Sequence, residues 1–593
     1  MSGRGTNSKT VADLLPKAAQ LYGSNVAVKY KEGDGWLSKT FAEVQEIVMP
    51  LALGLVELGI QKGDRVSILG NTRPEWTYFD FAALSIGATV VPIYQTNSPE
   101  ECRYVLENSD SKVVIVEDAE QLEKVRAVRD QLPQLEQIVL MTGDADDALS
   151  TEELAAKGNG DASRWAALYE AVTPEDICTF IYTSGTTGPP KGCIISHGNY
   201  RAMLDMVKET SVIEEGDVTY LYLPLAHSFA LLIQLGSYDL GTTIAYWERD
   251  PLKILPNLAE LKPSYFPSVP RIFEKIYTAA TSAIEKEGGL KKAIFNWAIN
   301  VGAKMREAER SGRKPGFLLQ RQYAFADKKV LSKIRGLFGG NIRLAVSGAA
   351  PINPEILRFF DAAGVLVLEG WGMTETSTAA TISSPDDFKV GTIGKPFPGC
   401  EVKIAADGEI LVKGPNVFQG YHKNPEATAE TIVNGWLHTG DIGEIDSEGF
   451  IKITGRKKDI IITAGGKNIT PANLEAEIKQ HPLVSQCVVV GDRRPYLVAL
   501  VTLDPEEAVK YAQEHDLPED PAALAANPDV KADIEAHVEK INQNFARVEQ
   551  VKKIAILSQD LSQENGELTP TLKVKRAVVA QKHEGEIEQL YAA

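Results

Sequence analysis

Short runs of consecutive apolar residues alternate with longer stretches of helical period through most of this 593-residue chain. Val66-Ser-Ile-Leu-Gly70 and Val113-Val-Ile-Val116 predict buried strands, and Phe41 to Leu58 predicts a helix. The same rhythm returns from Asp176 to about Ile382, with strands predicted at Leu221-Tyr-Leu223, Thr243-Ile-Ala-Tyr246, Arg343-Leu-Ala-Val346 and Val365-Leu-Val-Leu368. Strands that alternate with helices imply largely parallel sheets, whose ligands sit off the strand C-termini. Between the two regions, Asp144 to Ser163 is acidic and Ala/Gly-rich and reads as a surface loop. From Gly391 to Gly455 the pattern changes to short strands with many glycines, at Val402-Lys-Ile404, Glu409 to Lys413 and Phe450 to Ile453. After Gly455 a third α/β unit begins, with strands expected at Gln486–Val490 and Leu497–Val501. The expected fold class is therefore α/β: a large N-terminal part of two α/β subdomains with mixed or parallel sheets (residues 1–175 and 176–390), a small β-rich subdomain (391–457), and a smaller C-terminal α/β domain (458–593).

Composition narrows the function classes. With 44% hydrophobic and 24% charged residues this is ordinary globular material, and the length requires more than one core. A net charge of −18 argues against general nucleic-acid binding. No apolar run is long enough to span a bilayer, and the N-terminus lacks the apolar core of a signal peptide, so the expected location is cytoplasmic. Cys102, Cys178, Cys193, Cys400 and Cys487 are scattered and the histidines are ungrouped, which excludes a Cys/His zinc motif. The charge is uneven, however. Residues 285–343 hold 14 Lys/Arg against 5 Asp/Glu, and within them Leu290, Ile294, Trp297, Val301 and Met305 recur at helical spacing. Such a helix either lies on the inner, anionic face of a membrane or is a solvated helix of a large domain.

The densest candidate chemistry is Tyr182-Thr-Ser-Gly-Thr-Thr-Gly-Pro-Pro-Lys-Gly192, which follows the apolar run Ile177–Tyr182. Glycines let backbone N–H groups converge, and hydroxyls and a lysine add donors around the same point, as a polyphosphate requires. The spacing is not that of the usual P-loop, since no Gly-Lys-Ser/Thr follows. The competing reading is a surface linker.

Five further stretches lie downstream: Ser347-Gly-Ala-Ala-Pro351, Glu369-Gly-Trp-Gly-Met-Thr-Glu-Thr376, Gly435-Trp-Leu-His-Thr-Gly-Asp441, Gly455-Arg-Lys-Lys-Asp459 and Lys573. In order and spacing the six together resemble the motifs of the adenylate-forming, acyl-activating enzymes. The nearest resemblance is to long-chain fatty acyl-CoA synthetases of the bubblegum-type branch, over essentially the whole chain.

The resemblance implies ATP, Mg²⁺ and coenzyme A as the cofactors and co-substrates, and a fatty acid as substrate. Thr183, Ser184, Gly185, Thr186, Thr187, Gly188 and Lys191 would hold the β- and γ-phosphates. Glu375 would be the Mg²⁺ carboxylate and Thr374 an α-phosphate contact. Gly348, Ala349, Glu369, Gly370, Trp371 and Gly372 would form the adenine pocket, with the Trp371 ring able to stack on the base. Asp441 and Arg456 would take the ribose, a carboxylate being able to accept from both hydroxyls. Lys573 would bridge carboxylate and α-phosphate oxygens during adenylation, although Leu572 stands where the family usually has glycine. His227 would lie beside the substrate carboxylate, the alternative being a core histidine. The apolar stretch Ala230–Gly236 after it would either wall an acyl tunnel or simply be core. Lys458 matches the hinge about which the C-terminal domain turns, bringing Gly465 and Gly466 to the pantetheine arm of CoA.

The function implied is long-chain fatty acid:CoA ligation in two steps. The alternatives are an acyl-adenylate ligase that serves a carrier protein and a catalytically dead acyl or nucleotide sensor.

Overall fold

Two large sheets organise the region before residue 400, and they ignore sequence order. The computed structural model describes residues 5–158, 160–183, 189–464, 468–569 and 573–592. One sheet has eight strands, in the order Gly420–Tyr421, Lys191–Ser196, Ile177–Thr183, Thr89–Ile93, Arg65–Leu69, Ser111–Val116, Gln137–Leu140 and Leu149–Ser150. From Ile177–Thr183 to Leu149–Ser150 its pairs are parallel, whereas Lys191–Ser196 and Gly420–Tyr421 join antiparallel, and its N-terminal strands are near-continuous Val/Ile/Leu runs because helices cover both faces. The second sheet has nine strands and is centred on Val367–Trp371, Leu344–Ser347, Tyr265–Ser268, Val218–Leu221 and Thr243–Tyr246. It also takes the first hairpin of the chain, because Val26–Glu32 pairs in parallel with Thr243–Tyr246.

The helix Ser228–Leu240 is the seam between the two sheets. Gln234 bonds Thr77 and Asp80, and the Tyr238 ring packs against Phe41 and Phe81. Its continuous apolar sequence is thus accounted for by burial on every side, since all of its side chains except Phe229 are buried.

A five-stranded sheet follows, built on the antiparallel strands Glu401–Ile404, Glu409–Lys413, Trp436–Ile445 and Ile451–Arg456. The C-terminal part has a three-stranded sheet of Val484–Val490, Leu497–Leu503 and Val551–Ile556, with its own core around Leu474, Ile478, Val501 and Ile534. Among the described residues, no helix is long and apolar enough to cross a membrane.

Three local expectations need correction. The stretch 144–163 is not all loop: Thr151–Lys157 is a helix, started by a capping box between Ser150 and Glu153. That helix lies so close to Phe41–Glu57 that a Cβ on Gly54 would fall 2.3 Å from the Leu154 carbonyl oxygen. The strand expected at Leu221–Leu223 is Val218–Leu221, displaced because Leu223-Pro224 begins the turn into the seam helix. In the basic helix, Gly289–Arg310, the inward face is Phe295, Ala298, Val301 and Gly302, while Leu290 and Ile294 point outward. The apolar positions read as one stripe are therefore divided between core and solvent.

Candidate active site

The strand Ile177–Thr183 forms an antiparallel hairpin with Lys191–Ser196, with Thr183 opposite Lys191. Ser184, Gly185, Thr186, Thr187 and Gly188 lie outside the described residues, as do Gly465 and Gly466. At the root of the hairpin, the Thr183 hydroxyl donates to the Lys191 carbonyl at 3.4 Å. The Lys191 ammonium sits 5.0 Å above the Tyr421 ring. Tyr421 comes from the short strand that extends this sheet edge, paired with Cys193.

Glu375 stands on the single turn Thr374–Thr376 after the strand Val367–Trp371. Gly372 makes that turn possible, since a Cβ there would lie 2.3 Å from the Thr378 carbonyl oxygen. Ser377 and Thr378 adopt φ of 50° and 101°, strained values for residues with side chains. Glu375 is buried, and the Tyr421 hydroxyl donates to its Oε1 at 2.6 Å. The residues at hand fit a magnesium ion. One carboxylate, with an oxygen already fixed by a protein donor, is the usual protein share of a site completed by phosphate oxygens and water.

Asp441 and Arg456 face each other across paired strands, and Arg456 Nε donates to Asp441 Oδ1 at 2.7 Å. The Trp371 indole donates to the other oxygen, Oδ2, at 2.9 Å. A carboxylate has about four acceptor positions, so about two remain open to further donors. The structure thus gives Trp371 a hydrogen bond to Asp441 that ring chemistry alone did not suggest.

Around the expected base pocket, Gly348 is buried at the end of the strand Leu344–Ser347, with the Phe229 ring 3.4 Å from where its Cβ would be. Ala349 follows with a left-handed φ of 70° and is exposed. Glu369 and Gly370 are half-buried on the neighbouring strand. Burial pushes the Glu369 carboxyl up to about 7, against the lowering effect of a 3.3 Å bond from the Gly391 N–H.

His227 caps the seam helix, its Nδ1 accepting from the Phe229 N–H at 3.2 Å. Burial and, second, the nearby Lys573 charge lower it to about 3, so the ring is neutral at physiological pH. Lys573 arrives from the C-terminal domain, on a segment held by the Thr569 hydroxyl, which accepts from its backbone N–H at 3.0 Å. The residue as a whole stays exposed, yet its ammonium is crowded enough to lower its pKa. Desolvation is the main cause and Arg456 the second, while Asp441 and Glu375 oppose them. His227, Glu375, Asp441, Arg456 and Lys573 therefore share one electrostatic neighbourhood.

Lys458 is exposed just beyond it. The adjoining Lys457 is tied to Asp407 at 2.7 Å and Glu409 at 3.2 Å. Away from the cleft, Arg271 pairs with Asp504, and Lys275 with Glu506 at 3.0 Å, joining the C-terminal domain to the helix Pro270–Glu287. Sequence reading missed Tyr421. Its one signal is the Gly420-Tyr421 pair ahead of a capped helix, which says nothing of Glu375, 46 positions away.

Two carboxylates and three cations around one cleft suit a nucleotide polyphosphate and a reaction that develops negative charge. The fold itself has solved counterparts. It superposes with a TM-score of 0.77 on the adenylation domain of a carboxylate reductase from Mycobacterium chelonae, at 20% identity over 99% of this chain and 92% of that one. The anthranilate CoA ligase AuaEII in complex with anthranoyl-AMP gives 0.71, at 21% identity over 97% of each chain. Residues 15–422 match the AMP-binding enzyme family and residues 458–593 its C-terminal domain; the chain belongs to the AMP-binding enzyme family. Among relatives, the long-chain-fatty-acid–CoA ligase FadD15 of Mycobacterium bovis is 41% identical over 94% of this chain and 92% of its own. The long-chain-fatty-acid–CoA ligase ACSBG1 of Homo sapiens is 32% identical over 98% and 85%.

Proposed function

We propose that this protein is an AMP-forming long-chain fatty acid:CoA ligase. The observation that supports this reaction best is the meeting of Lys573, from one domain, with Glu375, Asp441 and Arg456 of the other. The relatives named as long-chain-fatty-acid–CoA ligases supply the acid and the thiol. In the first step a fatty carboxylate oxygen bonds to the α-phosphorus of ATP and the bond to pyrophosphate breaks. In the second, the CoA thiolate attacks the acyl carbonyl and AMP leaves.

In this reading Thr183–Gly188 and Lys191 hold the β- and γ-phosphates, and Thr374 touches the α-phosphate. Glu375 takes Mg²⁺, which when bound neutralises phosphate charge. Gly348, Ala349, Glu369, Gly370 and Gly372 shape the base pocket. Asp441, steadied by Trp371 and Arg456, accepts the ribose hydroxyls. Lys573 neutralises charge as it builds on the α-phosphate and carboxylate oxygens. Neutral His227, with Nδ1 engaged by the helix cap, has Nε2 left for the carboxylate region. Lys458 is the hinge, and its turning exchanges Lys573 for Gly465 and Gly466 at the CoA step. The enzyme works in the cytoplasm and meets the inner face of a membrane through residues 285–343.

The test is a paired assay of pyrophosphate release and acyl-CoA formation, over acids from acetate to long-chain fatty acids. Thioester yield rising to a maximum at long chains is expected. Pyrophosphate release without thioester would move the acceptor to a carrier protein, and silence with every acid would leave a nucleotide or acyl sensor.

A further inference from the structure

Twelve large hydrophobic side chains stand exposed among the described residues, and five of them lie between residues 290 and 325: Leu290, Ile294, Phe317, Leu318 and Phe325. Burial usually claims phenylalanine, so two phenylalanines at 69% and 53% exposure within one ten-residue helix call for an explanation. The helices concerned, Gly289–Arg310 and Phe317–Ala326, form a hairpin. Their outer residues join into one ridge. Leu290, Ile294 and Trp297 follow each other at helical spacing on the first helix, and Phe317, Arg321 and Phe325 do so on the second. The Trp297 and Phe325 rings meet edge-on with centroids 6.0 Å apart, and Arg321 stacks over Phe317 at 4.6 Å.

The ridge is flanked by positive charge. Arg306, Arg310 and Arg335 are spent on Glu309, Asp361 and Asp327. Arg313, Lys314, Arg321, Lys328 and Lys329 have no acidic partner among the described residues. The whole chain carries −18. A cluster of unpaired cations around exposed aromatics, on an otherwise acidic protein, complements an anionic lipid surface. A second copy of the chain fits poorly, because a two-fold contact would set this basic face against itself.

We propose that the hairpin 289–326 is a membrane-docking element: Phe317, Leu318, Phe325 and Ile294 enter the headgroup boundary, and Arg313, Lys314, Lys328 and Lys329 contact acidic lipid phosphates. The proposal deepens the fatty-acid reading by naming where a lipid substrate would be collected, but vesicle binding needs neither ATP nor CoA. Failure of the docking and failure of the enzymatic reading are therefore distinguishable.

The experiment floats the full-length protein with phosphatidylcholine vesicles, with and without phosphatidylglycerol. It is repeated for Phe317→Ser with Leu318→Ser, and for Lys328→Glu with Lys329→Glu. The wild type should bind only the anionic vesicles and release in high salt, and each double variant should lose about tenfold or more in binding. Both variants should keep wild-type thermal stability and wild-type turnover of a soluble medium-chain acid. Absence of vesicle binding, or equal binding by wild type and variants, overturns the proposal. So does sedimentation showing a dimer that Phe317→Ser with Leu318→Ser dissociates, which would assign the ridge to a second copy.

Discussion

The two halves of the cleft are held in opposite ways. On the large N-terminal part, each carboxylate is already bonded: Glu375 to Tyr421, and Asp441 to both Trp371 and Arg456. These bonds tie distant strands together, and they are buried or half-buried. Lys573 comes instead from a short segment with one described side-chain anchor, and its domain is docked through Arg271–Asp504, whose carboxylate is buried, and the exposed pair Lys275–Glu506. Asp504 also caps its own helix, so it keeps partners when Arg271 leaves. In the proposed reading, preorganised acceptors suit a site that meets nucleotide without rearrangement, whereas a few docking ion pairs suit a domain that lets go between steps.

The sharpest way to break this contrast is to remove the mobile partner. Lys573→Ala should lower adenylation about 10²- to 10³-fold, by the measure of losing one donor to developing charge. Thioester formation from supplied acyl-adenylate should be nearly unchanged, as single-turnover rates would record. Lys458→Pro, at the proposed hinge, should show the mirror image, and equal loss of both steps in either variant contradicts the division of labour.

A middling effect is expected on the fixed side. Tyr421→Phe keeps the ring under Lys191 but removes the donor to Glu375. It should weaken Mn²⁺ binding, read by electron paramagnetic resonance with ATP present, about tenfold, in line with other outer contacts to metal ligands. Unchanged Mn²⁺ affinity would show that Glu375 is oriented by its turn alone.

The smallest effect belongs to the docking pairs. Lys275–Glu506 is an exposed pair worth about 0–1 kcal/mol, and the buried Asp504 keeps its helix-cap donors, so Arg271→Ala with Lys275→Ala should slow adenylation about two- to fivefold. Thioester formation should be spared, and raised salt should reproduce the effect in the wild type. A loss as large as that of Lys573→Ala would mean that docking, not the lysine, limits the step.

Much of the candidate site was legible because each part is a contiguous stretch with its own composition: a Gly/Thr-rich run, a Gly-Trp-Gly-Met-Thr-Glu run, and the short blocks Gly435–Asp441 and Gly455–Asp459. Alternation of apolar runs likewise announced the parallel sheets. What escaped was of two kinds. The helix Thr151–Lys157 carried a readable capping box that an acidic, glycine-containing context obscured. Tyr421 carried no readable signal, because its partner is on a turn after a strand of the other large sheet, and such hydrogen bonds leave no period in the sequence.

The amino-acid sequence by itself determined the α/β class, the family and the set of chemical groups that serve the cleft, since these depend on local spacing and residue type. Tertiary structure alone decided which groups touch. It turned the Trp371 indole onto Asp441, set Tyr421 against Glu375, and buried Phe295 and Val301 while leaving Leu290 and Ile294 outside. Those outcomes follow from how layers pack, and packing joins residues whose separation along the chain carries no record of their contact.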